Sequence, residues 1–136
     1  MLLYRAFHAQ RNYLRPFLDE IGLGSGQPKL ISYLAKHGPC HQRQLADYFE
    51  VDPAAVCRML DSLEKGGFII RQVDQNNRRA GLVQLTDKGK KVNESWQNHC
   101  KDMEGVLLDG FSPSEREQFA QYLSRAYHNF RQHRQS

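Results

Sequence analysis

Hydrophobic positions recur at helical spacing through most of this chain and give way to β-branched and aromatic runs in one place, residues 68–86. The best-punctuated helix lies just before it. Asp52 stands where a side chain can cap the first free amides, and Pro53 brings a preset φ to the first helical position. Val56, Leu60 and Leu63 fall on one face with Met59 beside them, and Gly66-Gly67 supplies the left-handed residue that ends the helix. What remains outward is slim: Ala54, Ala55, Cys57, Arg58, Asp61 and Ser62. Ahead of it, residues 41–50 carry Leu45, Ala46 and Phe49 at helical spacing, followed by a tight turn through Val51. A short helix, a tight turn and a second helix able to approach a groove closely make a helix-turn-helix.

The runs 68–73 and 81–86 pair as a hairpin, with Val83 and Leu85 on one face. Residues 74–80 between them are polar, read as a loop, and carry adjacent Arg78 and Arg79. A helix-turn-helix followed by a basic-tipped hairpin is a winged helix, a shape that touches the major and minor grooves together.

Helical stripes flank this core. Leu3, Phe7, Leu14 and Phe17/Leu18 form an N-terminal stripe that Gln10 and Arg11 interrupt, and Pro16 predicts a kink or a stop. Ser25 stands as the cap of the next helix, which turns Leu30, Ile31 and Leu34 inward and ends at Gly38-Pro39. After Gly89, Val92, Trp96, Cys100, Met103 and Leu107 mark one face of a long helix that breaks near Asp109-Gly110. Ser112-Pro-Ser-Glu115 has the form of a capping box, and Phe119, Leu123, Ala126, Tyr127 and Phe130 line the last helix. The winged-helix body is too small to cover both terminal stripes. A second chain is therefore expected against Leu3, Phe7, Leu14, Phe119, Leu123, Tyr127 and Phe130. The expected fold is mainly α with a small β-hairpin wing (α+β), one domain over residues 1–136. Within it, 1–22 and 90–136 serve as dimerisation helices and 26–88 as the DNA-binding lobe.

Gln44-Leu45-Ala46, Val51-Asp52-Pro53, Leu63-Glu64-Lys65-Gly66-Gly67-Phe68, Asn77-Arg78-Arg79 and Leu85-Thr86-Asp87-Lys88-Gly89 resemble the multiple-antibiotic-resistance regulator (MarR) family. The specific part is the wing pattern: an acidic or amide residue, two arginines, five residues, then Leu-Thr-x-x-Gly. The resemblance covers nearly the whole chain. It implies a dimeric, cytoplasmic, prokaryotic DNA-binding regulator, nucleoid-associated when bound and tuned by a small ligand or by oxidation. The chain departs from the family at Asn77, where aspartate is usual, and at His41, where serine or threonine is usual.

Composition adds bounds. The net charge of +4 is mildly basic, and it is not concentrated in the winged-helix segment. Residues 1–40 carry five Lys/Arg against two acids, 41–91 nine against seven, and 92–136 five against six. The positive charge instead sits at points: Arg43, Arg58, Arg78, Arg79 and Lys88, Lys90 and Lys91. No run approaches membrane-spanning length, and the N-terminus lacks the apolar core and cleavage site of a signal peptide. Three cysteines without paired spacing suit a reducing compartment. No phosphate-binding glycine loop, nucleophile elbow, HExxH or paired CxxC is present, so neither a catalytic residue nor a cofactor is expected. His37, Cys40 and His41 are metal-ligand types, but Gly38-Pro39 interrupts them and a fourth ligand is missing, so no metal is expected.

Roles follow for the candidate site. Arg79 matches the family arginine that enters the minor groove, and Arg78 meets phosphate or braces the wing; Asn76 and Asn77 share its tip. Arg58 can reach guanine or phosphate, while Ala54, Ala55 and Cys57, behind Pro53, offer apolar contact to a thymine methyl. Gln42 and Arg43 suit phosphate positioning. Cys57 is either a small residue chosen for fit or a thiol that senses oxidants; Cys100 reads as core and Cys40 as a turn residue. Tyr13, Phe17 and Tyr33 are candidates to line the pocket of a small aromatic or phenolic effector. The reading is a homodimeric repressor on a pseudo-palindromic double-stranded operator, its recognition helices about one turn (~34 Å) apart. The alternatives are a winged-helix protein-interaction module, or a metal- or thiol-responsive sensor.

Overall fold

A computed structural model describes residues 1–74 and 76–134, except for the side chains of residues 73, 74 and 77–80. The chain runs α1 (Leu2–Ile21), α2 (Gln27–His37), β1 (Cys40–His41), α3 (Gln42–Phe49) and α4 (Pro53–Lys65). It continues β2 (Ile69–Asp74), β3 (Asn77–Leu85), α5 (Asp87–Leu107) and α6 (Pro113–Gln132). It is mainly helical with a small antiparallel sheet, as expected. Its contacts form two compact units, Met1–Met103 and Glu104–Ser136.

In the first unit the sheet order is β1-β3-β2. Ile69 pairs with Leu85, Arg71 with Val83, and Cys40 with Val83 from the other side. Ile69, Val83 and Leu85 turn inward against Leu30, Ile31, Leu34, Leu45, Val56, Leu60 and Leu63, all buried. Thus α2 lies beneath the helix-turn-helix as scaffold, and the inward stripe of α4 is the predicted one. Two residues at Cys40–His41 suffice to add β1, a strand too short to leave a periodic signal.

Several local expectations are corrected. Pro16 lies inside α1, which continues to Ile21 and stops at Gly22, where φ is 76°. Proline removes one backbone bond, but the burial of Leu14 and Leu18 on either side of it holds the helix together. Ser25 is not the cap of α2. Gly26 occupies that position with Pro28 in the first turn, while the Ser25 hydroxyl accepts a hydrogen bond from Arg11 Nη2 at 3.0 Å. Asp52 is the N-cap residue of α4, yet its carboxylate makes no capping bond, and Pro53 presets the helical start. The wing strands extend to Asp74 and begin again at Asn77, where a loop over 74–80 was expected. Pairing of Asp74 with Asn77, after a register shift at Val73/Asp74, carries the ladder toward the tip.

The Leu-Thr-x-x-Gly segment is a joint. Thr86 N–H donates to Phe68 O at 3.1 Å, and its hydroxyl donates to Gly67 O at 2.6 Å. The same hydroxyl accepts from Gly89 N–H at 3.1 Å, so α5 begins at Asp87, ahead of the expected start. Lys88 Nζ donates to Gly66 O at 2.6 Å and lies 4.5 Å from the Phe68 ring centroid. A Cβ on Gly89 would overlap the Phe68 carbonyl oxygen. Along α5, Val92 and Trp96 pack against the core, whereas Cys100, expected in the core, is half-buried and Leu107 is exposed. The burial fades because the core of this unit does not extend along the helix.

The second unit holds the end of α5, a turn through Gly110 at φ 80°, and α6. The predicted capping box is present: Ser112 N–H donates to Glu115 Oε1 at 2.8 Å, and Glu115 N–H donates to Ser112 Oγ at 3.2 Å. These bonds hold the Glu115 carboxyl below its usual range. Phe111 meets Phe119 edge-on, and Leu108 is buried. Nothing described in α6 is buried within the chain. No described helix is long and apolar enough to cross a membrane.

Gly89→Ala is expected to lower stability by about 1–3 kcal/mol, the range for overpacking a closed site. Urea unfolding followed by circular dichroism measures it.

Candidate nucleic-acid interface

The turn between α3 and α4 is tight because Glu50 takes the left-handed conformation at φ 57° and Val51 N–H bonds Ala46 O at 3.1 Å. At the start of α3, Gln44 Oε1 accepts from His41 N–H at 2.8 Å, so the glutamine serves the N-terminus where His41 replaces a hydroxyl residue. Arg43 is exposed beside half-buried Gln42. On α4, Pro53, Ala54 and Arg58 are exposed and Ala55 and Cys57 half-buried, which is the predicted slim outer face. Among the described residues neither Arg43 nor Arg58 makes an ion pair. Asn76 is exposed near the wing tip. The side chains of Asn77, Arg78 and Arg79 lie outside the described residues.

One residue of this surface was missed by reading the sequence. Arg71, on β2, reaches across to α4, where its Nη2 bonds Asp61 Oδ1 and its Nε lies 3.5 Å from Glu64 Oε2. The hydrogen bond to Asp61 holds the guanidinium above its usual range; the Glu64 charge and a bond to Cys57 add to this, and burial opposes it. A signal was present. Two acids three residues apart, on a helix face meant to approach DNA, call for an internal cation.

Residues 25–80 match the profile of the MarR family. The HTH-type transcriptional regulator BilQ of Clostridioides difficile (strain CD3) is 30% identical over 110 residues, 74% of each chain. This chain belongs to the MarR family. The crystal structure of the transcriptional regulator SlyA matches at 28% identity with a TM-score of 0.88, covering 93% of this chain and 89% of that one. A MarR-family regulator from Listeria monocytogenes, solved with 26mer DNA, matches the fold at 23% identity and a TM-score of 0.90, covering 94% and 85%.

The chain is thus a MarR-family transcriptional regulator and not an enzyme. Its first unit contains a groove of about 420 Å³ between α1, α2 and Trp96. Leu14, Leu18, Pro28 and Trp96 give it apolar walls, and Arg11 and Lys29 its cations; no carboxylate lines it. Burial pushes the Lys29 ammonium below its ordinary value. Tyr13, Phe17 and Tyr33 do not line this groove. Tyr13 is exposed, and Phe17 stacks on His99 with centroids 3.3 Å apart and on Trp96 at 6.3 Å. Tyr33 joins Tyr48, Phe49 and His37 in a cluster against α3, with centroids 4.9, 5.8 and 4.3 Å away.

Leu3 and Phe7 are exposed on α1, as are Leu123, Tyr127 and Phe130 on α6, while Phe119 is half-buried. Leu14, expected on the same surface, is buried by its own chain. Among the described residues no three His, Cys, Asp or Glu groups converge as metal ligands, so His37, Cys40 and His41 form no such site. All three cysteines are free thiols. Cys40 is buried in β1, and that burial raises its thiol pKa, whereas Cys57 is half-buried on the outer face.

Iodoacetamide at neutral pH is therefore expected to label Cys57 well ahead of Cys40, because the thiolate is the reacting form. Peptide mass spectrometry against time checks the order, and equal rates would contradict the burial of Cys40.

Proposed function

We propose that this regulator binds a pseudo-palindromic DNA operator as a homodimer and represses transcription by occupying it. The observation that carries the reading is the outer face of α4: small side chains at Ala54, Ala55 and Cys57, with exposed Arg58 beside them. A helix so faced can enter the major groove, with Arg58 on guanine or phosphate and an alanine against a thymine methyl. Gln42 and Arg43 meet phosphate at the entry to α3, while Arg79 enters the minor groove with Arg78 on the backbone. Asn76 and Asn77 complete the wing tip.

The dimer is proposed from the exposed apolar residues of α1 and α6, with residues 1–22 and 90–136 as its helices and 26–88 as the reading lobe. Phe130, at 75% exposure, is the extreme case. In the groove beside Trp96, cations without carboxylates suit a small aromatic or phenolic effector that carries negative charge. Its occupation would press on α2, the scaffold of the reading helices, and so alter operator affinity. The protein would act in the cytoplasm, on the nucleoid when bound.

Selection from random duplex DNA should recover an inverted repeat. Arg58→Ala and Arg79→Ala should each weaken its binding by about 1–3 kcal/mol. Loss of a phosphate contact should lower the salt slope by about 0.9. Sequence-blind retention that vanishes with salt would refute the reading and favour a protein-binding winged helix.

Leu123→Asp with Phe130→Asp should shift the sedimentation of the chain from dimer to monomer. An unchanged dimer would place the interface elsewhere.

A further inference from the structure

We propose that Arg71 is a positioning residue that locks the wing to the recognition helix, and that DNA reading depends on this lock. The inference rests on the DNA-binding reading given above. Arg71 is paired with Val83 in the middle of the hairpin, so its backbone is held by the sheet. Its side chain leaves the sheet toward α4 and meets two carboxylates one helical turn apart, Asp61 through Nη2 and Glu64 through Nε. The arginine side chain is only 23% exposed, against 57% for Asp61 and 45% for Glu64. The guanidinium is thus turned into the joint between strand and helix, with the acids on its outer side.

That geometry suits bracing better than contact with phosphate. A planar guanidinium offers separate N–H groups in fixed directions and can serve two carboxylates at once. A lysine ammonium is a point charge and cannot hold both in the same way. Below the bracket, Leu63, Phe68 and Ile69 are buried where α4 meets the sheet, so the apolar contact fixes the root of the hairpin. The ion pairs fix it further out. The same contact offsets one of the two negative charges that would otherwise face the phosphates. A wing free to swing would pay an ordering cost on each binding event, and a wing already tied to α4 does not.

Charge alone and positioning predict opposite results for one variant. Asp61→Asn with Glu64→Gln removes two negative charges, so electrostatics by itself would tighten DNA binding. Loss of the bracket would weaken it. The probe is the duplex that the wild-type protein selects from a random-sequence pool, with binding measured across a salt series. We expect Arg71→Ala and the Asp61→Asn/Glu64→Gln pair each to weaken binding by about tenfold, within the range of coupling in contacting networks. The salt slope should stay at the wild-type value in both, and Arg71→Lys should recover only part of the loss. In the free protein, hydrogen exchange at the Ile70 and Gln72 amides should quicken in both variants.

Tighter binding by the carboxamide pair overturns the proposal. So does a salt slope lowered by about 0.9 in Arg71→Ala, which marks a direct phosphate contact. Unchanged exchange overturns it as well. If the wild-type protein selects no duplex, the DNA-binding reading fails, and the exchange measurement alone decides whether the bracket holds the wing. If Arg71→Ala does not fold, the carboxamide pair, which alters only exposed side chains, carries the test.

Discussion

The reading lobe depends on what happens around Thr86. A single hydroxyl donates to the Gly67 carbonyl, just past α4, and accepts from the Gly89 amide in the first turn of α5, while its own backbone continues the sheet. Three elements are thereby set at one point. Lys88 adds a charged donor to Gly66 O and covers Phe68 with its ammonium. Hydrogen bonds of this kind contribute modestly one by one, about 0.5–1.5 kcal/mol each. The joint therefore acts as a constraint on direction more than as a source of stability. It fixes where the recognition helix ends relative to the hairpin.

Outward from that joint, the surface is assembled by subtraction. The apolar stripe of α4 is spent on the core, and Asp61 and Glu64 are spent on Arg71. What is left over is small or cationic. A modest net charge is thus deployed locally, because Arg71 draws Asp61 and Glu64 toward the joint and offsets one of their two charges, leaving Arg43 and Arg58 outward. This explains why counts of charge along the chain point to no segment in particular. Charge on a protein surface is counted after pairing.

The parts legible in the sequence were those decided by neighbours in the chain. The stripe Val56, Leu60 and Leu63, the left-handed end at Gly67, the Ser112–Glu115 box and the inward pair Val83 and Leu85 all follow from spacing and local chemistry. Those decided by distant contacts were not. Pro16 is carried inside a helix because Leu14 and Leu18 are buried around it, and Ser25 serves Arg11 instead of its own helix. In the candidate site, the outer face of α4 could be read as the complement of the buried stripe. Of the Arg71 bracket the sequence held only the acid half, Asp61 and Glu64, since a strand residue and a helix pair meet only after the hairpin has packed. The aromatic residues nominated for a pocket failed to converge for the same reason: Tyr33 faces α3, and the aromatic rings that line the groove are Phe7 and Trp96.

Gly89 has a meaning in genetics as well as in packing. Every missense change that one nucleotide can make in a glycine codon adds a Cβ, and at this position a Cβ meets the Phe68 carbonyl. Position 89 therefore has synonymous neighbours in codon space but no missense neighbour that keeps the packing. Drift without cost to the fold is confined there to silent changes.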